Sequence, residues 1–270
     1  MANRWLIAFL LVPLVPLLFL LAPGWALVIV VAFFSAGMAV EILQSTGFAP
    51  QKRMYIFAGV WAAFIPPWLA YLGEYVPVEA VIFVPVAWCS TMAVLSKGKV
   101  RAEGIAWGLF AALIIPRFLA SLVAILNMEH GRLLAWMPLV TACFYDACSM
   151  FGGKKFGRRK LAPVLSPKKT VEGALAGLIG AIGFMLIYAL LIQSFGGVNP
   201  SWPLIVFYAV AGSAAAQLGD LAFSAVKRER GMKDYGTILQ SHGGLLDRFD
   251  SILFTAALME GLLVYLPVLL

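Results

Sequence analysis

The chain has 270 residues, 62% of them hydrophobic and only 12% charged, with a formal net charge of +7. That balance excludes an ordinary soluble domain, where about a quarter of residues are charged. It also excludes a nucleic-acid binder, which needs a basic face on a folded surface.

Continuous apolar runs, each long enough to cross about 30 Å of hydrocarbon, predict spans at 5–22, 25–43, 55–72, 78–96, 104–126, 132–151, 171–193, 203–226 and 246–268. A transmembrane barrel is excluded because its strands alternate instead of running apolar throughout. The expected fold is therefore all-α, a polytopic integral membrane protein with about nine transmembrane helices. Ala22-Pro23-Gly24 is the weakest boundary, since one re-entrant hairpin there replaces two crossings; a cleaved signal peptide behind Arg4 is a further alternative for the first run. With the N-terminus cytoplasmic, Lys52, Arg53, Lys97, Lys99, Arg101 and the clusters at 154–169 and 227–248 all fall on the cytoplasmic side. The opposite loops hold Arg132 with Glu74, Glu79 and Glu129. This asymmetry follows the positive-inside rule.

The first hundred residues contribute little beyond hydrophobic helices. Cys89 lies there, and it reads with Cys143 and Cys148 as a small packing residue within a span. Pro116-Arg117 predicts a kinked fifth span with the arginine facing inward, and Glu41 and Glu260 are either partners for it or residues near span ends. Small residues recur in two later spans: Gly173, Gly177, Gly180 and Gly183 in one, Gly212, Ala215, Ala216 and Gly219 in the other. Such residues let helices approach closely in lipid, and the two spans are expected to be neighbours around a polar site.

Polar groups enter the spans after about residue 130. Asp146 sits late in one span, and the loop behind that span carries seven cations between Lys154 and Lys169. Attraction to anionic headgroups explains most of those. Ser166-Pro167 reads as an N-cap followed by proline at the first helical position, starting a helix through Lys168, Lys169, Thr170 and Glu172. Asp220 lies in the next span but one, with Gln217, Ser224 and Lys227 on the same helical face. A structural ion pair accounts for part of that stripe; a metal or substrate site accounts for all of it.

The densest segment runs from Ser224 to Asp250, SAVKRERGMKDYGTILQSHGGLLDRFD, with five Lys/Arg and four Asp/Glu. Asp247 and Asp250 sit where the last span opens, where the helix dipole favours carboxylates. The preceding His242-Gly243-Gly244 lets backbone N–H groups reach an anion. If the helices carrying Asp220 and Asp247 pack together, the two carboxylates suit a Mg²⁺ ion, which completes its octahedron with water and phosphate. Lys227, Arg228, Lys233 and Arg248 then surround the remaining phosphate charge.

These residues resemble a known family. The pattern S-x-V-K-R-x4-K-D-x-G-x5-H-G-G-L-x-D-R-F-D from Ser224 to Asp250 is similar to the signature of the phosphatidate cytidylyltransferases, or CDP-diacylglycerol synthases. Upstream, Asp146, Phe151-Gly152, Phe156-Gly157 and Ser166-Pro167-Lys168-Lys169-Thr170-x-Glu172-Gly173 follow the same family. The resemblance covers about residues 141–255, and Gln240 departs from it where proline is expected. It implies a membrane enzyme condensing CTP with phosphatidic acid to CDP-diacylglycerol and pyrophosphate. It further implies Mg²⁺ as cofactor, K⁺ as a second ion, and a homodimer. The expected setting is the bacterial inner membrane, with the site facing the cytoplasm.

On this reading residues 1–103 are a hydrophobic scaffold, and 104–270 form the catalytic region with cytoplasmic loops 152–170 and 227–246. Asp220 and Asp247 hold metal, and Lys227 joins them as catalytic. Ser224, Arg228, Lys233, His242, Gly243, Gly244, Arg248, Lys168, Lys169, Asp146 and Asp250 bind substrate. Two alternatives stand beside it. One is a CTP-dependent transferase acting on an ether lipid or polyprenol. The other is a cation transporter, which calls for polar residues along a whole pore instead of clustered at the cytoplasmic ends of spans.

Overall fold

A computed structural model describes residues 22–47, 52–97, 99–236 and 243–269. Seven of its helices are long and apolar enough to cross a membrane: α1 (Gly24–Thr46), α2 (Lys52–Leu72), α3 (Val78–Leu95), α4 (Ala102–Leu126), α5 (Gly131–Phe156), α6 (Val171–Gly196) and α7 (Trp202–Glu229). An eighth, α8 (Leu246–Tyr265), is 20 residues long and carries Asp247, Arg248, Asp250 and Glu260. The chain is thus an all-α polytopic membrane protein; the predicted span at 5–22 lies outside the described residues.

Two compact units divide the chain. One holds α1 to α4 with residues 234–246; the other holds residues 128–233 and 247–270, and so α5, α6, α7 and α8 from Asp247 onward. In the first, Ile65, Trp68, Val81 and Ala120 form a buried cluster under Trp61, Phe64, Leu69 and Val76. The Trp68 indole N–H, costly to bury alone, donates to the Val76 carbonyl at 2.8 Å. Two helices of this unit contain π turns, at Trp68–Leu72 and Phe110–Ile114. Each adjoins proline, Pro66-Pro67 in α2 and Pro116 in α4. Proline removes an N–H and crowds the carbonyl four residues back, which for Pro116 is that of Ala112 inside the π turn, so the ladder there re-forms with wider spacing. The predicted irregularity at Pro116-Arg117 takes this form, and the Arg117 guanidinium donates to Ser121 Oγ at 3.1 Å.

In the second unit α6 and α7 are neighbours, as the small residues led us to expect. Three glycines of α6, Gly173, Gly177 and Gly180, also pack closely on α5: a Cβ at Gly177 would stand 2.9 Å from both the Tyr145 ring and Ser149 Cβ. Those of α7 face elsewhere again, Gly212 toward Thr141, Thr255 and Met259, and Gly219 toward Asp250 and Phe254. Close packing thus extends beyond the α6–α7 contact to α5 with α6 and α7 with α8.

The loop after α5 requires a further correction. No helix starts at Pro167. Lys160–Ala162 (β1) and Ser166–Thr170 (β2) pair as an antiparallel hairpin. Helix α6 begins only at Val171, because Thr170 is its N-cap: the extended Thr170 hydroxyl accepts the Gly173 N–H at 3.1 Å. Glu172 accepts the N–H groups of Arg158 (2.9 Å) and Arg159 (3.1 Å), fixing the chain that enters the hairpin.

Candidate active site

Four elements of the second unit bring charged side chains together. From α5 comes Asp146; from α7, Asp220, Ser224 and Lys227; from α8, Asp247, Asp250 and Ser251; and from β2, Lys169. Their convergence rests on Gly219, the residue before Asp220. A Cβ there would stand 2.5 Å from the Asp250 carbonyl oxygen and 3.0 Å from the Phe254 ring. Only glycine lets the α8 backbone approach α7 at the level where both carry carboxylates.

Each carboxylate is engaged. Lys227 Nζ donates to Asp247 Oδ1 at 2.6 Å, with the two side chains 10% and 7% exposed. Lys169 forms an ion pair with Asp220, and Ser224 Oγ donates to Asp220 Oδ1 at 3.2 Å. Asp250 is buried and accepts the Ser251 N–H at 2.7 Å. Asp146 is hydrogen-bonded by Ser251 and feels the charges of Asp220 and Lys169, while Asp250 feels those of Asp220, Lys227 and Asp146. Beside the cluster, the Tyr145 hydroxyl donates to Gln217 Oε1 at 2.6 Å, tying α5 to the polar stripe of α7.

The predicted stripe Gln217, Asp220, Ser224 and Lys227 is therefore realised with partners the spacing did not name. Lys227 turns to Asp247 in α8, and Asp220 receives its cation from the hairpin. Both pairs are long-range in sequence, so no local pattern reveals them. Arg228 is exposed and donates to the carbonyls of Leu165 (3.1 Å) and Met232 (3.2 Å), bracing the hairpin and the end of α7. Lys168, Lys233 and Arg248 are also exposed. His242, like Gln240, lies outside the described residues.

Gly243 and Gly244 belong to the first unit, and the anion found at the adjoining N–H groups is not a ligand. It is the carboxylate of Glu41, which accepts the N–H of Leu245 at 3.0 Å and of Leu246 at 2.7 Å. The sequence offers Glu41 only as a partner for Arg117 or a residue near a span end. The available signal was its cost: a carboxylate in an apolar helix needs strong donors.

Among the described residues no three His, Cys, Asp or Glu side chains form a ready metal cage. Mg²⁺ does not need one, since it takes one or two protein carboxylates and otherwise water and phosphate. The donor chemistry fits. Four carboxylates, Asp146, Asp220, Asp247 and Asp250, face two ammonium groups, Lys169 and Lys227. When all six are ionised, two negative charges remain in excess, and all the anionic donors are hard oxygens.

Comparison with known proteins identifies the family. A family profile described as "Cytidylyltransferase family" matches residues 2–266. A Thermotoga maritima protein named phosphatidate cytidylyltransferase is 34% identical over 146 residues, 54% of this chain and 54% of its own. An Arabidopsis thaliana chloroplastic phosphatidate cytidylyltransferase is 31% identical over 277 residues, 88% of this chain and 66% of its own. The Bacillus subtilis phosphatidate cytidylyltransferase is 34% identical over 174 residues, 64% of this chain and 63% of its own. The matched region thus spans between half and two thirds of these relatives' length.

Proposed function

The chain belongs to the cytidylyltransferase family, and from that premise we propose that it is a phosphatidate cytidylyltransferase, converting CTP and phosphatidic acid to CDP-diacylglycerol and pyrophosphate. The observation that carries the reading is the cluster of Asp146, Asp220, Asp247 and Asp250 with Lys169 and Lys227, set in membrane helices. A lipid substrate and a nucleoside triphosphate meet at such a place. Relatives named for this reaction support the choice of substrates.

A phosphate oxygen of phosphatidate attacks the α-phosphorus of CTP in line. One P–O bond forms as the bond to the β-phosphate oxygen breaks, and pyrophosphate leaves with its electron pair. No general base is needed, because the lipid phosphate is already an anion. Catalysis is then positioning and charge stabilisation. Asp220 and Asp247 would hold Mg²⁺, with K⁺ as a second ion, which when bound would supply positive charge for the triphosphate oxygens. Lys169 and Lys227 are held beside the phosphates by their aspartate partners. Lys168, Arg228, Lys233 and Arg248 supply exposed cations for the triphosphate and the lipid head. Asp146 and Asp250 wall the site, and Ser224 orients Asp220.

The positive charge on the predicted inner loops supports a site facing the cytoplasm, in the inner membrane of a bacterium. Homodimeric assembly is part of the same proposal. The test is CTP-dependent conversion of phosphatidic acid by purified protein in detergent, with and without Mg²⁺. CDP-diacylglycerol with equimolar pyrophosphate, lost in Asp247→Asn, is the expected result. CTP binding without product from phosphatidate, but with product from an ether or polyprenyl phosphate, would reassign the acceptor. Failure to bind CTP would overturn the reading.

A further inference from the structure

Glu41 is 3% exposed within α1, a helix containing an 18-residue stretch of mean hydropathy 2.4. An ionised carboxylate is expensive at such a place unless strong donors meet it. Here the donors are backbone N–H groups at 3.0 and 2.7 Å, from Leu245 and Leu246, more than 200 residues away in sequence. Leu246 opens α8, so these are N–H groups that no intrahelical carbonyl can satisfy. Helix starts usually take a local Ser, Thr, Asp or Asn side chain; this one takes a carboxylate from a distant helix.

Nearby residues are shaped around the same contact. A Cβ at Gly244 would stand 2.5 Å from Glu41 Oε1, and one at Gly236 would also meet that oxygen. One turn before Glu41, a Cβ at Gly37 would stand 2.9 Å from Leu245 Cδ2. Gly243 adopts φ 82°, a left-handed conformation suited to glycine. The glycines of this segment thus let its backbone close on Glu41, and the segment runs directly into Asp247.

We infer that Glu41 is a positioning residue for the proposed reaction: its buried carboxylate fixes the glycine segment ending at Leu246 and thereby the backbone from which Asp247 projects. This rests on the functional reading above. A displacement of about 1 Å in a catalytic group costs on the order of a hundredfold in rate, so the role is visible in turnover before it is visible in substrate affinity.

Glu41→Gln is isosteric but offers one acceptor oxygen where the carboxylate offers two, and turns an amide N–H toward a backbone donor. The expected result is a 10- to 100-fold fall in kcat with KM for phosphatidate changed less than threefold, in protein that stays monodisperse. Hydrogen exchange of the peptide 243–250 should accelerate at least tenfold, with α3 unaffected. Gly244→Ala supplies the second variant: it should lose turnover beside Glu41 and regain part of it when combined with Glu41→Asp, whose shorter side chain withdraws from the new methyl. Wild-type kcat in Glu41→Gln, or a loss of kcat that only follows loss of folded protein, would overturn the inference. So would unchanged exchange at 243–250. Wild-type protein that makes no CDP-diacylglycerol would instead overturn the reaction reading and Glu41's part in it, while the exchange result still judges the contact.

Discussion

Breaking the Lys227–Asp247 pair separates what the site does for stability from what it does for chemistry. The atoms stand 2.6 Å apart and the side chains are 10% and 7% exposed, so solvent screens the pair little. Removing one member of a buried pair costs about 3–5 kcal/mol, whereas removing both charges together is often close to neutral. Asp247→Asn keeps one acceptor oxygen and should fall at the low end, about 3 kcal/mol; Lys227→Met should cost about 3–4 kcal/mol. The double variant should then be less destabilised than the sum of the singles by about 2 kcal/mol or more. Turnover should behave otherwise. All three variants should lose at least about a hundredfold, about 2.7 kcal/mol of barrier, because the double variant restores packing without restoring charge. Stability is read from unfolding midpoints in mixed micelles titrated with a denaturing detergent, and turnover from CTP-dependent CDP-diacylglycerol formation. Additivity of the two single losses within about 0.5 kcal/mol would refute the pair. Recovery of activity in the double variant would refute its part in catalysis.

Asp220→Asn should abolish turnover in a folded protein, and chelation of divalent cations should do the same to the wild type, reversibly on adding Mg²⁺; near-normal Mg²⁺-dependent rates in the variant would remove Asp220 from the metal site. Gly219→Ala places a methyl 2.5 Å from the Asp250 carbonyl oxygen and should cost about 1–3 kcal/mol as well as activity. Gly183→Ala, with nothing within 4 Å of the new Cβ, should be neutral or stabilising by up to about 1 kcal/mol; equal unfolding midpoints for these two variants would contradict the helix packing. Thr170→Val removes the hydroxyl that caps α6 and should cost about 1 kcal/mol, measured by the same titration.

Hydrophobic runs and charge placement alone determined that this is a helical membrane protein, because an apolar segment of about 20 residues has few other stable uses. The residue types of the site were equally legible. Asp146, Asp220, Lys227, Asp247 and Asp250 stand out because charge within apolar helices is costly and so demands a reason. Partnership was not legible. That Lys227 meets Asp247, that Lys169 leaves the basic loop to reach Asp220, and that Gly219 admits Asp250 are contacts between elements. Local spacing carries no information about them. The hairpin at 160–170 was missed because Ser-Pro is as good a helix start as Thr170, and only strand pairing decided between them. Glu41 is the clearest case. Its sequence neighbourhood gives only the cost of burying it, while the donors that offset that cost, Leu245 and Leu246, come from the far end of the chain. Sequence fixes which groups are expensive to bury; tertiary structure decides which other groups make them affordable.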